Sequence, residues 1–217
     1  MKEIQVKKVL DVKYAEAENV ESFLDNIHSE WHLIDAVNWP EYPYCPEVCF
    51  RLGYTDDSIL LQYKVREQAV LASCAHDNED VWNDSCVEFF VMPGTDGSYY
   101  NIESNCIGSA LIGHGYNRTD RLRGDESIVS RIKKYSTLGK EPFAEKSFNG
   151  EWRLSLVIPF TVFFKDKIDS LDNKIVKVNF YKCGDHLSVP HFLSWNPIDT
   201  LQPDFHQPSC FGQIEFI

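Results

Sequence analysis

The segment DSCVEFFVMPGTDGSYYNIESNC (residues 84–106) decides the architecture. Side chains alternate across a β-strand. Val87, Phe89 and Val91 therefore share one apolar face, while Asp84, Cys86, Glu88 and Phe90 share the other. Pro93, Gly94 and Gly97 are turn residues, and they break the run into a hairpin. The returning strand repeats the pattern, with Tyr100, Ile102, Ser104 and Cys106 on one face and Tyr99, Asn101, Glu103 and Asn105 on the other. A start slightly upstream adds Trp82 to the polar face of the first strand. A row of Asn101, Glu103 and Asn105 is costly to bury without partners. That face is either the wet side of a sheet or one wall of a concave polar cleft.

Working outward, strand signals dominate. VCFRLGY (48–54), the turn TDD (55–57) and SILLQYKVRE (58–67) form a second hairpin, in which Ile59, Leu61, Tyr63 and Val65 face one way. AVLASCA (69–75) is a further strand candidate, as are SALIGHG (109–115), EWRLSLVIPF (151–160), KIVKVNFYKC (174–183) and the closing FGQIEFI (211–217). ENVESFLDNI (18–27) carries Val20, Phe23, Leu24 and Ile27 at helical spacing. The polar stretch 116–150 reads as a long loop with one strand near SIVSRIKKY. The pattern predicts an all-β, jelly-roll-like β-sandwich with short peripheral helices. It spans 1–217 as one domain, with 1–40 an irregular lead-in.

Apolar residues make up 43% of the chain and aromatics 13%, enough for a substantial core. A net charge of -12 repels phosphate backbones and anionic membranes, so nucleic acid and membrane surfaces are excluded as expected partners. No apolar run reaches membrane-spanning length. The N-terminus is charged throughout and lacks a signal-peptide pattern. The protein is therefore expected either to act in the cytoplasm or to follow a removed secretion signal. The seven cysteines show no C-x-x-C spacing and read as free, buried small hydrophobes rather than a zinc knuckle, with a structural disulfide of unspecified connectivity as the alternative.

VWNDSCVEFFVMP, then SYYNIESN, SWNPI, DFHQP and a terminal FGQIEF are similar to family 9 carbohydrate-binding modules, in particular the single-domain family 9-like group. The resemblance covers residues 40–217. It implies a β-sandwich that binds sugar without transforming it. It also implies a terminal sugar held between two tryptophans, ligands drawn from small sugars and polysaccharide chain ends, and association with a glycoside hydrolase. It carries over Trp82, Glu88 and Trp195 as carbohydrate-binding residues. Asp84, Asn101 and Asn196 join them by parity and proximity. The family's sugar-binding arginines have no evident match in the pattern. Related modules hold structural calcium, for which DNEDVWND (77–84) offers donors, though not at EF-hand spacing.

Other readings of the same residues remain. Glu88 and Glu103 supply the two carboxyl groups that glycoside hydrolysis needs. Met92 and His191 are candidate axial ligands for a haem-binding sandwich. A sandwich that has lost its sugar site would serve as an interaction domain. No G-x-S-x-G nucleophile elbow is present.

Overall fold

Two β-sheets close on a shared aromatic core in the computed structural model, which describes residues 1–12 and 14–217. The strands in chain order are β1 (Glu3–Val6), β2 (His32–Leu33), β3 (Ala36–Val37), β4 (Glu47–Tyr54), β5 (Ser58–Ala72), β6 (Cys86–Met92) and β7 (Tyr99–Asn105). They continue with β8 (Ala110–Gly115), β9 (Arg121–Arg123), β10 (Lys133–Ser136), β11 (Phe143–Pro159), β12 (Ile175–Cys183), β13 (Phe192–Ser194) and β14 (Gly212–Phe216). One sheet runs β1-β14-β12-β6-β7-β8-β9, with β13 and β3 branching from β12. The other runs β10-β11-β5-β4-β2. Two short helices, α1 (Val20–Asn26) and α2 (Glu126–Val129), sit at the periphery. No described helix is long and apolar enough to cross a membrane.

The alternation read from sequence is the alternation that packs. Val87, Phe89 and Val91 of β6, Tyr100 and Ile102 of β7, and Ile59, Leu61, Tyr63 and Val65 of β5 all enter the core between the sheets. Its centre is a column of rings. Phe50 of β4 stacks on Phe180 of β12 at 3.6 Å between centroids, Phe180 stacks on Phe89 at 5.1 Å, and Trp195 meets Phe50 and Phe180 edge-on at 5.8 and 5.7 Å. In the first half of β5 the even-numbered residues face away from this core, and Leu60 packs instead with Val20 and Leu24 of α1.

Three expectations change. AVLASCA does not form a separate strand. β5 runs unbroken to Ala72: an irregularity in its pairing with β11, between Glu67 and Ala69, shifts the phase of the alternation by one residue and turns Val70 and Ala72 into the core. The stretch 116–150 contains β9, α2, β10 and the first half of β11, and α2 is capped by the Asp125 carboxylate accepting from the Ile128 amide. The lead-in is also ordered into elements. β1 pairs in parallel with β14, and Trp39 is buried with its indole N–H donating to the Thr200 carbonyl at 2.9 Å.

One end of the inter-sheet core is charged. The Lys182 ammonium lies 3.0 Å from the Glu67 carboxylate, and both side chains are wholly buried. Lys182 also donates to the Cys183 carbonyl and contacts His191 Nε2, each at 2.8 Å, and the Trp152 indole donates to Glu67 at 2.7 Å. Burial and the adjacent ammonium hold His191 neutral, with its pKa pushed down to about 3. Removing one member of such a pair strands the other charge. Lys182→Ala is expected to cost about 3–5 kcal/mol of stability by urea unfolding. Wild-type-like stability would show that the pair contributes nothing to holding the sheets together.

Candidate ligand-binding site

The outer face of the nine-stranded sheet carries a second apolar cluster, in which Phe90, Tyr99, Tyr181 and Phe211 pack under Trp39, Ile198 and Phe205. The lead-in and the 195–211 loop thus cover much of this face. What they leave open is a cleft of about 360 Å³. Its floor comes from β6, β7 and β8, and its rim from the 118–123 segment, Asp185, Phe192 and the loop 203–206.

Trp82 lines this cleft, together with Phe192, Phe205 and His206. It sits in the 3-10 turn Val81–Asn83, and the next residue, Asp84, fixes that turn. Asp84 is wholly buried and accepts four hydrogen bonds: the Ser73 amide at 2.9 Å, the Ser73 hydroxyl at 2.6 Å, the Cys74 amide at 2.9 Å and the Asn105 side-chain amide at 2.8 Å. Its carboxylate has no capacity left for a ligand. The guanidinium of Arg123 lies 5.8 Å from the Trp82 ring centroid while donating to the Asn78 carbonyl at 2.7 Å.

Glu88 and Glu103 are direct cross-strand partners on the floor. Burial raises both acids, Glu88 well above the usual carboxylate range and Glu103 to about 7, and each opposes ionisation of its neighbour in the like-charged pair. Asn101 donates to Glu103 at 2.7 Å, and Arg121 Nε donates to Asn101 at 2.9 Å. Arg121 also donates to the Tyr99 and Gly113 carbonyls, each at 3.1 Å, with its guanidinium 4.4 Å from the Tyr99 ring centroid. Gly113 makes this chain of contacts feasible, since a Cβ there would stand 2.6 Å from Asn101 Oδ1 and 3.3 Å from Arg121 Nε. Tyr99 in turn hydrogen-bonds His206 Nδ1 at 2.9 Å, and burial keeps His206 neutral, with its pKa pushed down to about 3.

Of the six residues singled out from sequence, the structure brings Trp82, Glu88 and Asn101 into one cleft. Asp84 lies behind it as the clamp just described. Trp195 lies elsewhere, 2% exposed in the aromatic column between the sheets. Asn196 is also buried, its side-chain oxygen accepting from the Lys2 amide at 2.8 Å and its backbone amide donating to Asn179 Oδ1 at 2.9 Å. Trp195 falls inward because its amide donates to the Phe180 carbonyl, so it continues the β13 edge against β12. The aromatic company of Trp82 is Phe192 and Phe205 instead. Three arginines also line the cleft, Arg118, Arg121 and Arg123, all from the stretch read as a polar loop.

Other expectations resolve on donor chemistry. In 77–84, Asp77 is held by Lys134 at 2.6 Å, Glu79 accepts from the His76 amide, Asp80 pairs with Arg123 and Asp84 is saturated. With these carboxylates committed to protein donors, the run does not fit a calcium loop. Met92 pairs with Lys177 near one end of β12, and His191 contacts Lys182 near the other, so the two cannot flank one haem. Glu88 and Glu103 do converge, but side by side on one floor, approaching a ligand from the same side rather than flanking a bond.

The raised acids make stability depend on pH. An acid whose folded pKa exceeds its unfolded value stabilises the fold below the unfolded pKa, and that contribution is lost as pH rises through the folded pKa. His191 and His206 act oppositely as pH falls below their ordinary value, so the wild-type curve mixes both effects. The difference between wild type and Glu103→Gln isolates the acid. Wild type is expected to gain thermal stability relative to the variant as pH falls from about 7 to about 4.5. A flat difference across that window would mean that Glu103 titrates normally.

The model of carbohydrate-binding family 9 matches residues 18–216. No curated protein matches the chain. A crystal structure of a candidate carbohydrate-binding protein from Bacteroides uniformis is 46% identical, with a TM-score of 0.97 and coverage of 100% of this chain and 99% of the other. A family 9 module from Caldicellulosiruptor kristjanssonii in complex with cellotriose is 17% identical, at TM-score 0.62, covering 99% and 93% of the two chains. The glucose complex of a family 9 module from the same organism is also 17% identical, at TM-score 0.57, covering 100% and 96%. At that identity the likeness is one of fold. The family match extends over nearly the whole chain, and the chain belongs to carbohydrate-binding family 9, a class of non-catalytic binding modules.

Proposed function

We propose that the outer-face cleft binds a small sugar or the end of a polysaccharide chain, and that the whole chain works as one binding unit. The observation that supports this most is the pairing of a half-exposed tryptophan with a polar floor inside one small cavity. A pyranose has an apolar C–H face and a rim of hydroxyls. The first suits the Trp82 ring, with Phe192 and Phe205 nearby. The second suits Glu88, Asn101, Glu103 and Asp185. A cavity of about 360 Å³ lies at the lower end of ligand-pocket sizes, which favours one or two sugar units over a long stretch of chain. The Caldicellulosiruptor modules with cellotriose and glucose make glucose and short cello-oligosaccharides the first ligands to try. Association with a glycoside hydrolase would place the captured chain end before a catalytic partner.

In this reading Trp82 is the principal contact and Trp195 is scaffold. Isothermal titration with glucose, cellobiose and cellotriose tests both roles. Trp82→Ala is expected to weaken binding on the order of tenfold or more, while Trp195→Phe leaves affinity within about threefold of wild type. Affinity unchanged in Trp82→Ala, or no heat with any neutral mono- or oligosaccharide, would overturn the proposal.

A further inference from the structure

We propose that Cys86, Glu88 and Cys183 form a binding site for a single thiophilic divalent cation such as zinc, set into the floor of the cleft. Cys86 and Cys183 are direct partners across the β6–β12 ladder. Their sulfurs and a Glu88 oxygen all lie within 4.8 Å of one another, the one such grouping of three or more potential ligands among the described residues. The Cys183 thiol reaches Glu88 Oε1 at 3.1 Å and the Trp82 carbonyl at 3.5 Å. All three side chains are buried, at 0%, 3% and 1% exposure for Cys86, Glu88 and Cys183. Glu88 and Cys183 nonetheless line the cleft, which gives an ion a route in and leaves a side open for a fourth ligand from solvent.

Two sulfurs and one carboxylate oxygen make up three corners of a tetrahedral zinc site with an open position. Sulfur donors select zinc, cadmium or copper(I) over calcium or magnesium, which prefer all-oxygen shells. Binding replaces the two thiol protons, and any proton on Glu88, with metal–ligand bonds, and the released protons pass to solvent. No redox step is involved. The site does not depend on the sugar reading, although an ion held by Glu88 would remove that carboxylate from any sugar in the same cleft.

Cadmium(II) is the probe, added to the reduced full-length chain in the absence of sugar. A thiolate-to-cadmium charge-transfer band is expected to saturate at one ion per chain, with zinc(II) displacing it. Cys86→Ser and Cys183→Ser should each abolish the band, and Glu88→Gln should weaken affinity on the order of tenfold or more. Cys49→Ser and Cys74→Ser, outside the cluster, should leave it intact. No band in wild type, or a band that survives in Cys86→Ser or Cys183→Ser, would overturn the proposal. A disulfide joining Cys86 to Cys183 in the protein as isolated would also overturn it, because the pair would then be a cross-link rather than a ligand set. If the serine variants do not fold, anomalous scattering from cadmium-soaked wild-type crystals decides. A peak between the two sulfurs supports the site, and its absence there refutes it.

Discussion

The column of rings running from Phe89 through Phe180 to Phe50 is the contact on which the rest of the molecule is arranged. Two of its members belong to one sheet and one to the other, so the stack sets how the sheets meet. Because side chains alternate along a strand, committing Phe89 and Phe180 inward commits their neighbours outward. Glu88 and Tyr181 have no other place to go, and the β6–β7 register brings Glu103 beside Glu88. The polar floor of the cleft is thus the geometric complement of the core. A slip of one residue in β6 would exchange the two, placing the Glu88 carboxylate in the core and Phe89 in the cleft.

This dependence explains what could be read from sequence. The sandwich, both hairpins and the two faces of β6 and β7 follow from period-two alternation, and so do Glu88, Asn101 and Glu103 as residues of one face. Trp82 came from the family resemblance and not from parity, since β6 begins only at Cys86 and Trp82 sits in the 3-10 turn before it. The placement of Trp195 was not legible, because this residue lies beyond the short β13 in a stretch where alternation gives no phase. Its side is set by one backbone contact to Phe180 and by the gap in the aromatic column. The arginines were hidden for a related reason. Arg121 and Arg123 sit on a three-residue strand, too short to carry a pattern, and Arg121 is drawn inward by Asn101 and by two backbone carbonyls. The local signals were Gly113 and Gly115, glycines inside one strand, which mark a close approach by another group.

Two buried polar systems serve opposite purposes. The Lys182–Glu67 pair lies between the sheets, sealed with Trp152 and His191. The Glu88–Glu103 pair lies on the cleft floor, where it is shielded from water but within reach of a ligand. The first pair brings opposite charges together across the two sheets. The second brings like charges together and keeps protons at the wall of an open cleft, where a hydroxyl can accept from a protonated acid or donate to an ionised one.

The Asp84 clamp has a consequence for how tightly any ligand can be held. Four donors converge on one buried carboxylate at the foot of the turn that presents Trp82. The backbone beneath the indole is therefore ordered before a ligand arrives, so less conformational freedom remains to be lost on association. A platform of that kind should bind with a small entropic penalty and little rearrangement. Differences in affinity between ligands would then arise in how long each stays rather than how fast it arrives.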